Sequence, residues 1–169
     1  MKRLNLDIRH KDIGVKPEQV DNWDRRQAVR CILTRGDRIA LLFLQSFNYH
    51  KFPGGGIKTG EEIEDALRRE VREETGSKAE IIQKLGRTTS HRSKQDTRHV
   101  SHFFLAEEKE SGQPKLTEEE KKQGYTTEWF NLDVIIETLA AEHPDHYVAK
   151  FINERDFRVA RRLKNSDIL

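Results

Sequence analysis

Residues 52–77, FPGGGIKTGEEIEDALRREVREETGS, constrain this chain more than any other stretch, because a glycine-rich turn runs straight into a segment loaded with carboxylates. Gly54, Gly55, Gly56 and Gly60 mark backbone that adopts positive φ or lets another group approach closely. From Glu61 the pattern is helical, no proline interrupts it, and Gly76 is placed to end the helix as a left-handed cap. A helix rich in glutamate and arginine is ordinarily a solvated surface, so the direction of its acids decides its use. At about 100° per residue, Ile63, Leu67 and Val71 form a buried stripe. Glu62, Glu64, Asp65, Arg68, Arg69 and Arg72 spread over the outer side as a mixed charged face, whereas Glu70, Glu73 and Glu74 fall beside or within the apolar sector.

Three carboxylates turned toward the body of a protein repel one another and lose hydration, so a positive partner is required. On this reading, neutralising Glu74 relieves repulsion and leaves the metal-free protein unchanged or slightly more stable. A hard divalent cation, Mg²⁺ or Mn²⁺, satisfies the requirement, since such ions prefer oxygen ligands and bridge carboxylates to phosphates. Counting from Gly55 gives five residues, Glu61, seven residues, then Arg69-Glu70-Val71-Arg72-Glu73-Glu74-Thr75-Gly76-Ser77. This spacing resembles the Nudix box, the signature of hydrolases acting on a nucleoside diphosphate linked to another group. Two positions depart from it: Ser77 stands where an apolar residue is usual, and Lys58 where family members often carry glutamate.

The resemblance implies a metal site built from Glu70, Glu73, Glu74 and the Gly54 carbonyl. It also implies a general base at Glu70 or at one of Glu118, Glu119 and Glu120, a run that would bring a further carboxylate from a downstream loop. Arg69, on the outer side of the helix, is expected to fix the box carboxylates by an ion pair, and Glu61 to hold the loop. Arg30, Lys58, Arg92 and Arg98 are the candidates for substrate contact.

Ahead of the box, residues 1–24 read as a polar arm or short edge strand. Residues 27–34 alternate as a strand with Val29, Cys31 and Leu33 on one side and Ala28, Arg30 and Ile32 on the other. Gly36-Asp37 then turns the chain into a second strand over 38–45, and Lys51-Phe52 enters the glycine turn. Beyond the box come a strand over 80–88 with Gly86 at a bulge, a basic, flexible segment HRSKQDTRH, and a strand over 100–106. A polar excursion over 107–124, a last strand over 125–130, and a helix over 132–141 with Asn131 as N-cap follow. Pro144 starts a final helix over 145–164 with an apolar stripe of Val148, Phe151, Ile152, Val159 and Leu163. His91, His99 and His102 lack the spacing of a structural zinc site.

Strands around one helix, then terminal helices, indicate an α+β sandwich, and the resemblance implies a curved mixed sheet between helices with the box as loop-helix-loop. The expected organisation is one domain over 1–169, with its core over about 27–140. The single cysteine, Cys31, excludes an internal disulfide, and no apolar run is long enough for a membrane span, so a cytoplasmic protein is expected. The formal net charge of +2 does not announce nucleic acid. The expected function is metal-dependent hydrolysis of a pyrophosphate bond, with a nucleoside triphosphate or related nucleotide as substrate; a capped RNA end and a homodimer are left open. The alternative is a module of this fold that binds a nucleotide or effector without cleaving it.

Overall fold

The computed structural model describes residues 3–169. Its elements run β1 (Leu4–Ile8), β2 (Asp24–Arg35), β3 (Arg38–Leu44), β4 (Tyr49–Lys51), α1 (Ile63–Thr75), β5 (Lys78–Arg92), β6 (Thr97–Glu110), α2 (Glu118–Gln123), β7 (Tyr125–Phe130), α3 (Leu132–Ala141) and α4 (Tyr147–Lys164). The strands form one mixed sheet ordered β1-β5-β6-β2-β3-β4, with β7 pairing β3. β1 lies parallel to β5 and β2 parallel to β6, while β5 and β6 form a long antiparallel pair.

The alternation within β2 sorts the core into two layers. Val29, Cys31 and Leu33 pack with Ala66, Leu67 and Val71 of α1. Ile32, from the other face, joins Phe103, Leu105, Ile135, Leu139, Val159 and Leu163 beneath α3 and α4. The sheet is therefore covered by helices on both faces, as expected for the sandwich. Leu67 and Val71 are fully buried, and each contributes about 1.5–3 kcal/mol through the apolar surface it removes from water.

Several boundaries differ from the sequence reading. The arm does contain an edge strand, and a 3-10 turn over His10–Ile13 follows it. The bulge at Gly86 is present, and the neighbouring strand requires glycine there: a Cβ would lie 2.0 Å from the Leu4 carbonyl oxygen. The segment expected to be flexible is instead the end of β5, a 3-10 turn over Ser93–Gln95 and the start of β6. Register across the β5–β6 ladder pairs Arg92 with Thr97, which removes the freedom of a loop. The final helix begins at Tyr147 with His146 as N-cap, so Pro144 lies before it. Its stripe holds as far as Phe151, Val159 and Leu163, but Arg155 and Asp156 are also buried. No helix among the described residues is long and apolar enough to cross a membrane.

Candidate active site

The glycine turn is held against β2 as an irregular strand. Val29 N–H donates to the Gly55 carbonyl and Cys31 N–H to the Pro53 carbonyl, both at 2.9 Å, and Ile57 N–H donates to the Gln27 carbonyl at 3.1 Å. The intervening Gly54 carbonyl takes no part in this pairing, which leaves it free to accept from the other side. Gly54 has φ 131°, and a Cβ on it would stand 2.1 Å from the Val29 carbonyl oxygen, so the close approach to β2 requires glycine.

The helix then brings two carboxylates onto two consecutive glycines. Glu74 Oε2 accepts the Gly54 N–H at 2.6 Å, and a Cβ on Gly55 would fall 2.5 Å from Glu70 Oε2. Glu70 and Glu74 are buried, as the helical periodicity indicates, while Glu73 is partly exposed. Their positive partners are side chains of the protein. Lys51 Nζ lies 3.2 Å from Glu74 Oε1, and both groups are buried. Arg69 Nη1 donates to Glu70 at 2.7 Å and to Glu73 at 3.4 Å, its Nε and Nη2 grip Glu61 at 2.7 and 2.9 Å, and Nη2 also reaches the Gly56 carbonyl.

These contacts set the electrostatics. Arg69 bonding, with the Lys58 N–H, holds the Glu61 carboxyl down at about 2. Burial pushes Glu74 above the usual carboxylate range against the pull of Lys51 and the Gly54 N–H, and Glu70 adds to the rise. Lys51, in spite of the burial that disfavours its charge, is pushed up by Glu74. The raised values favour a charged Lys51 and work against an ionised Glu74. We take the ion pair as the resting state, because an ammonium and a backbone N–H both donate to this carboxylate. The expectation that neutralising Glu74 is harmless is therefore corrected: Lys51 would be left buried without its partner.

Arg69 performs the ion-pairing expected of it, although it is more enclosed than the outer face of an ideal wheel allows, at 19% side-chain exposure. Lys58 is exposed, and its N–H donates to Glu61 at 2.9 Å. Arg30 and Arg92 are buried on the sheet face toward α4. Arg98 is on the opposite face, 5.4 Å above the Trp23 ring, so the basic segment does not act as one surface. Glu118, Glu119 and Glu120 lie on α2 with local partners: Lys121, Gln123 and the Thr117 N–H, respectively. None of the three contacts an α1 carboxylate.

Sequence reasoning missed three groups. His50 bonds Glu142 through Nδ1 and Glu128 through Nε2, the latter at 2.6 Å. Asp156 accepts the Phe52 N–H at 2.9 Å and is gripped by Arg155, tying α4 to the entrance of the glycine turn. Lys51, whose amine also sits 4.8 Å from the Tyr125 ring, is the third. A lysine flanking a glycine turn carries a signal only when the helix acid it faces is already placed.

The donor set suits a hard cation. Carboxylates of Glu70, Glu73 and Glu74 and the unused Gly54 carbonyl are all oxygen donors around one turn. Among the described residues no three His, Cys, Asp or Glu side chains stand as a ready-made metal-binding group. Arg69 and Lys51 hold the carboxylates as they are, and a cation would exchange with these internal cations.

A family model described as NUDIX domain matches residues 24–151. A nucleoside triphosphatase NudI of Escherichia fergusonii is 43% identical over 67 residues, covering 36% of this chain and 47% of the relative. A NudI of Salmonella schwarzengrund is 45% identical over 58 residues, covering 31% and 41%. The chain thus spans less than half the length of these curated relatives. Among solved structures, a NUDIX hydrolase from Nitrosomonas europaea superposes with a TM-score of 0.61 at 20% identity, covering 78% of this chain and 89% of the other. A MutT NUDIX hydrolase from Burkholderia pseudomallei gives 0.59 at 21% identity, covering 79% and 98%. These structural likenesses concern the fold.

Proposed function

Because the chain belongs to the NUDIX domain family, we propose that it is a divalent-metal-dependent hydrolase that cleaves a pyrophosphate bond in a nucleotide, with a nucleoside triphosphate as substrate. The observation that carries this reading is the closure of Glu70 and Glu74, one helical turn apart, onto Gly55 and Gly54. The similarity to nucleoside triphosphatases NudI supports the choice of substrate.

Glu70, Glu73, Glu74 and the Gly54 carbonyl would hold Mg²⁺ or Mn²⁺. Bound there, such a cation offsets the charge of the pyrophosphate oxygens and lowers the pKa of a water. Glu70 orients the attacking water and takes its proton. The water oxygen bonds to phosphorus as the bridging P–O bond breaks, and the leaving phosphate carries away the bond's electron pair. Arg69 fixes Glu70 against Glu61 and is a positioning residue. The glycine turn, pinned to β2 and bare of side chains at Gly54, Gly55 and Gly56, leaves room for a phosphate group beside it.

The test is a screen of nucleoside triphosphates, nucleotide sugars and dinucleotides with product identification, with Mg²⁺, with Mn²⁺ and in chelator. Cleavage to a nucleotide and a phosphate or pyrophosphate, absent in chelator and restored by metal, is the expected result. Nucleotide binding without turnover under every metal condition would favour the non-catalytic module instead.

A further inference from the structure

Among the described residues, five buried side-chain atoms have no hydrogen-bond partner: Arg30 Nε, Thr88 Oγ1, His91 Nε2, Arg92 Nε and His99 Nδ1. Native proteins leave few such groups, so their location is informative. Four of the five share one face of the sheet. The ladders set Thr88 beside Ser101, Ser90 beside His99, Arg92 beside Thr97, and Arg30 beside Phe103, all on the side covered by α4. The fifth, His91, faces the other way and lies 3.6 Å from Asp7.

We infer that Arg30, Thr88, Arg92 and His99 form a subsite for a phosphoryl group of the substrate, separate from the carboxylate and glycine turn that holds the bond under attack. This rests on the nucleotide-hydrolase reading and deepens it. Arg30 and Arg92 are buried, and neither has a carboxylate partner among the described residues. The nearby acid, Asp156, has both oxygens occupied by Arg155 and the Phe52 N–H. Two guanidinium groups thus lie buried without a salt bridge, each with an unpaired Nε, while Arg30 Nη1 donates to the Val29 carbonyl at 3.0 Å. Burial and mutual repulsion show the strain: Arg30 is pushed down to about 10 by burial and Arg155, and Arg92 to about 9 by burial, Arg155 and Arg30. The same surroundings, burial first and then Arg92 and Arg30, press His99 down to about 2, so it remains a neutral ring.

A guanidinium fork matches phosphate oxygens, and a phosphoryl group carries up to two negative charges against the two cations. A neutral nucleobase or sugar offers no such balance. Arg30 stands between Val29 and Cys31, the two residues of β2 whose N–H groups hold the glycine turn, so the subsite adjoins the turn that carries the carboxylates. A substrate spanning both would carry a further charged phosphoryl group beyond the anhydride cleaved. That selects nucleoside triphosphates over nucleotide sugars, whose far group is uncharged.

The probe is inorganic pyrophosphate added to metal-free protein in chelator, followed by thermal melting of wild type and Arg92→Met. Pyrophosphate is expected to raise the wild-type Tm and not that of the variant. Without anion the variant should melt no lower than wild type, because an uncompensated buried charge has gone. In turnover, the ratio of kcat/KM for a nucleoside triphosphate over a nucleotide sugar should fall about tenfold, the order expected for one lost charge-assisted contact. A wild type that shows no shift, a variant that keeps the shift, or a variant that melts lower without anion would each overturn the subsite. Because the melting arms use no turnover, a chain that hydrolyses nothing would sink the hydrolase reading while leaving the anion result to stand or fall by itself.

Discussion

The Glu74 carboxylate accepts the Gly54 backbone N–H at 2.6 Å across twenty residues of sequence, and so one side chain locks the end of α1 to the turn that precedes it. Its other oxygen engages Lys51, so the same carboxylate serves both the turn and the strand entering it.

Glu74→Gln and Arg72→Gln separate the two faces of α1. Glutamine can still accept from Gly54, but it leaves Lys51 buried without a countercharge, a loss of about 3–5 kcal/mol for breaking a buried pair. Its kcat should fall roughly 10²-fold or more, as when a single electrostatic group is removed from a reacting site. Arg72 is exposed, and its replacement should change stability by no more than about 0.5 kcal/mol. Urea unfolding and kcat for both variants decide the matter: equal, small losses would return Glu74 to an ordinary charged surface.

His50 gives the fold a pH dependence of known sign. Burial disfavours its charge, but Glu142 and Glu128 outweigh that and raise its pKa above the ordinary value of about 6.5. Stabilisation from the raised group is fully present below the unfolded value and is lost as pH rises through the folded pKa. The Tm gap between wild type and His50→Gln should therefore be widest near pH 6 and shrink toward pH 9. A gap that stayed constant over that range would show that the imidazole contributes packing against Phe43 and Phe130 and no linked proton.

The legible parts of this protein are those whose signal is local. Gly76 ends α1 in the left-handed conformation because its neighbours already specify a helix, and the burial of Glu70 and Glu74 follows from their angle to Leu67 and Val71. The alternation in β2 likewise sorts Val29 and Ile32 into separate cores. What could not be read depends on pairing across long separations. Arg92 reads equally as a solvated loop cation or a substrate contact until the β5–β6 register turns it under α4, and Arg155 breaks an apolar stripe only because Asp156 neutralises it there. Glu118, Glu119 and Glu120 show the converse: their acid run invites a catalytic role, yet Thr117 caps α2 with Glu120, and Lys121 and Gln123 occupy the other two.

Arg155 and Asp156 provide the most exacting test of how the helix behind the sheet supports the turn in front of it. Asp156 satisfies two demands, the Phe52 N–H and the guanidinium of Arg155, and both residues are almost wholly enclosed. Asp156→Asn keeps an oxygen for Phe52 but leaves Arg155 charged beside Arg30 and Arg92, so it should cost about 3–5 kcal/mol. Arg155→Met removes the charge that repels those two arginines, and a flexible apolar side chain can fill its space against Phe103, but it leaves the Asp156 carboxylate buried with the Phe52 N–H as its donor, so it should cost about 3–5 kcal/mol as well. In the double variant the asparagine no longer faces an uncompensated cation. It should be more stable than the sum of the single losses by about 0.5–3 kcal/mol, the range for residues in direct contact. Urea midpoints at constant m-value measure this coupling. Strictly additive losses would mean that Asp156 acts on Phe52 alone and that Arg155 is balanced by something other than its neighbour.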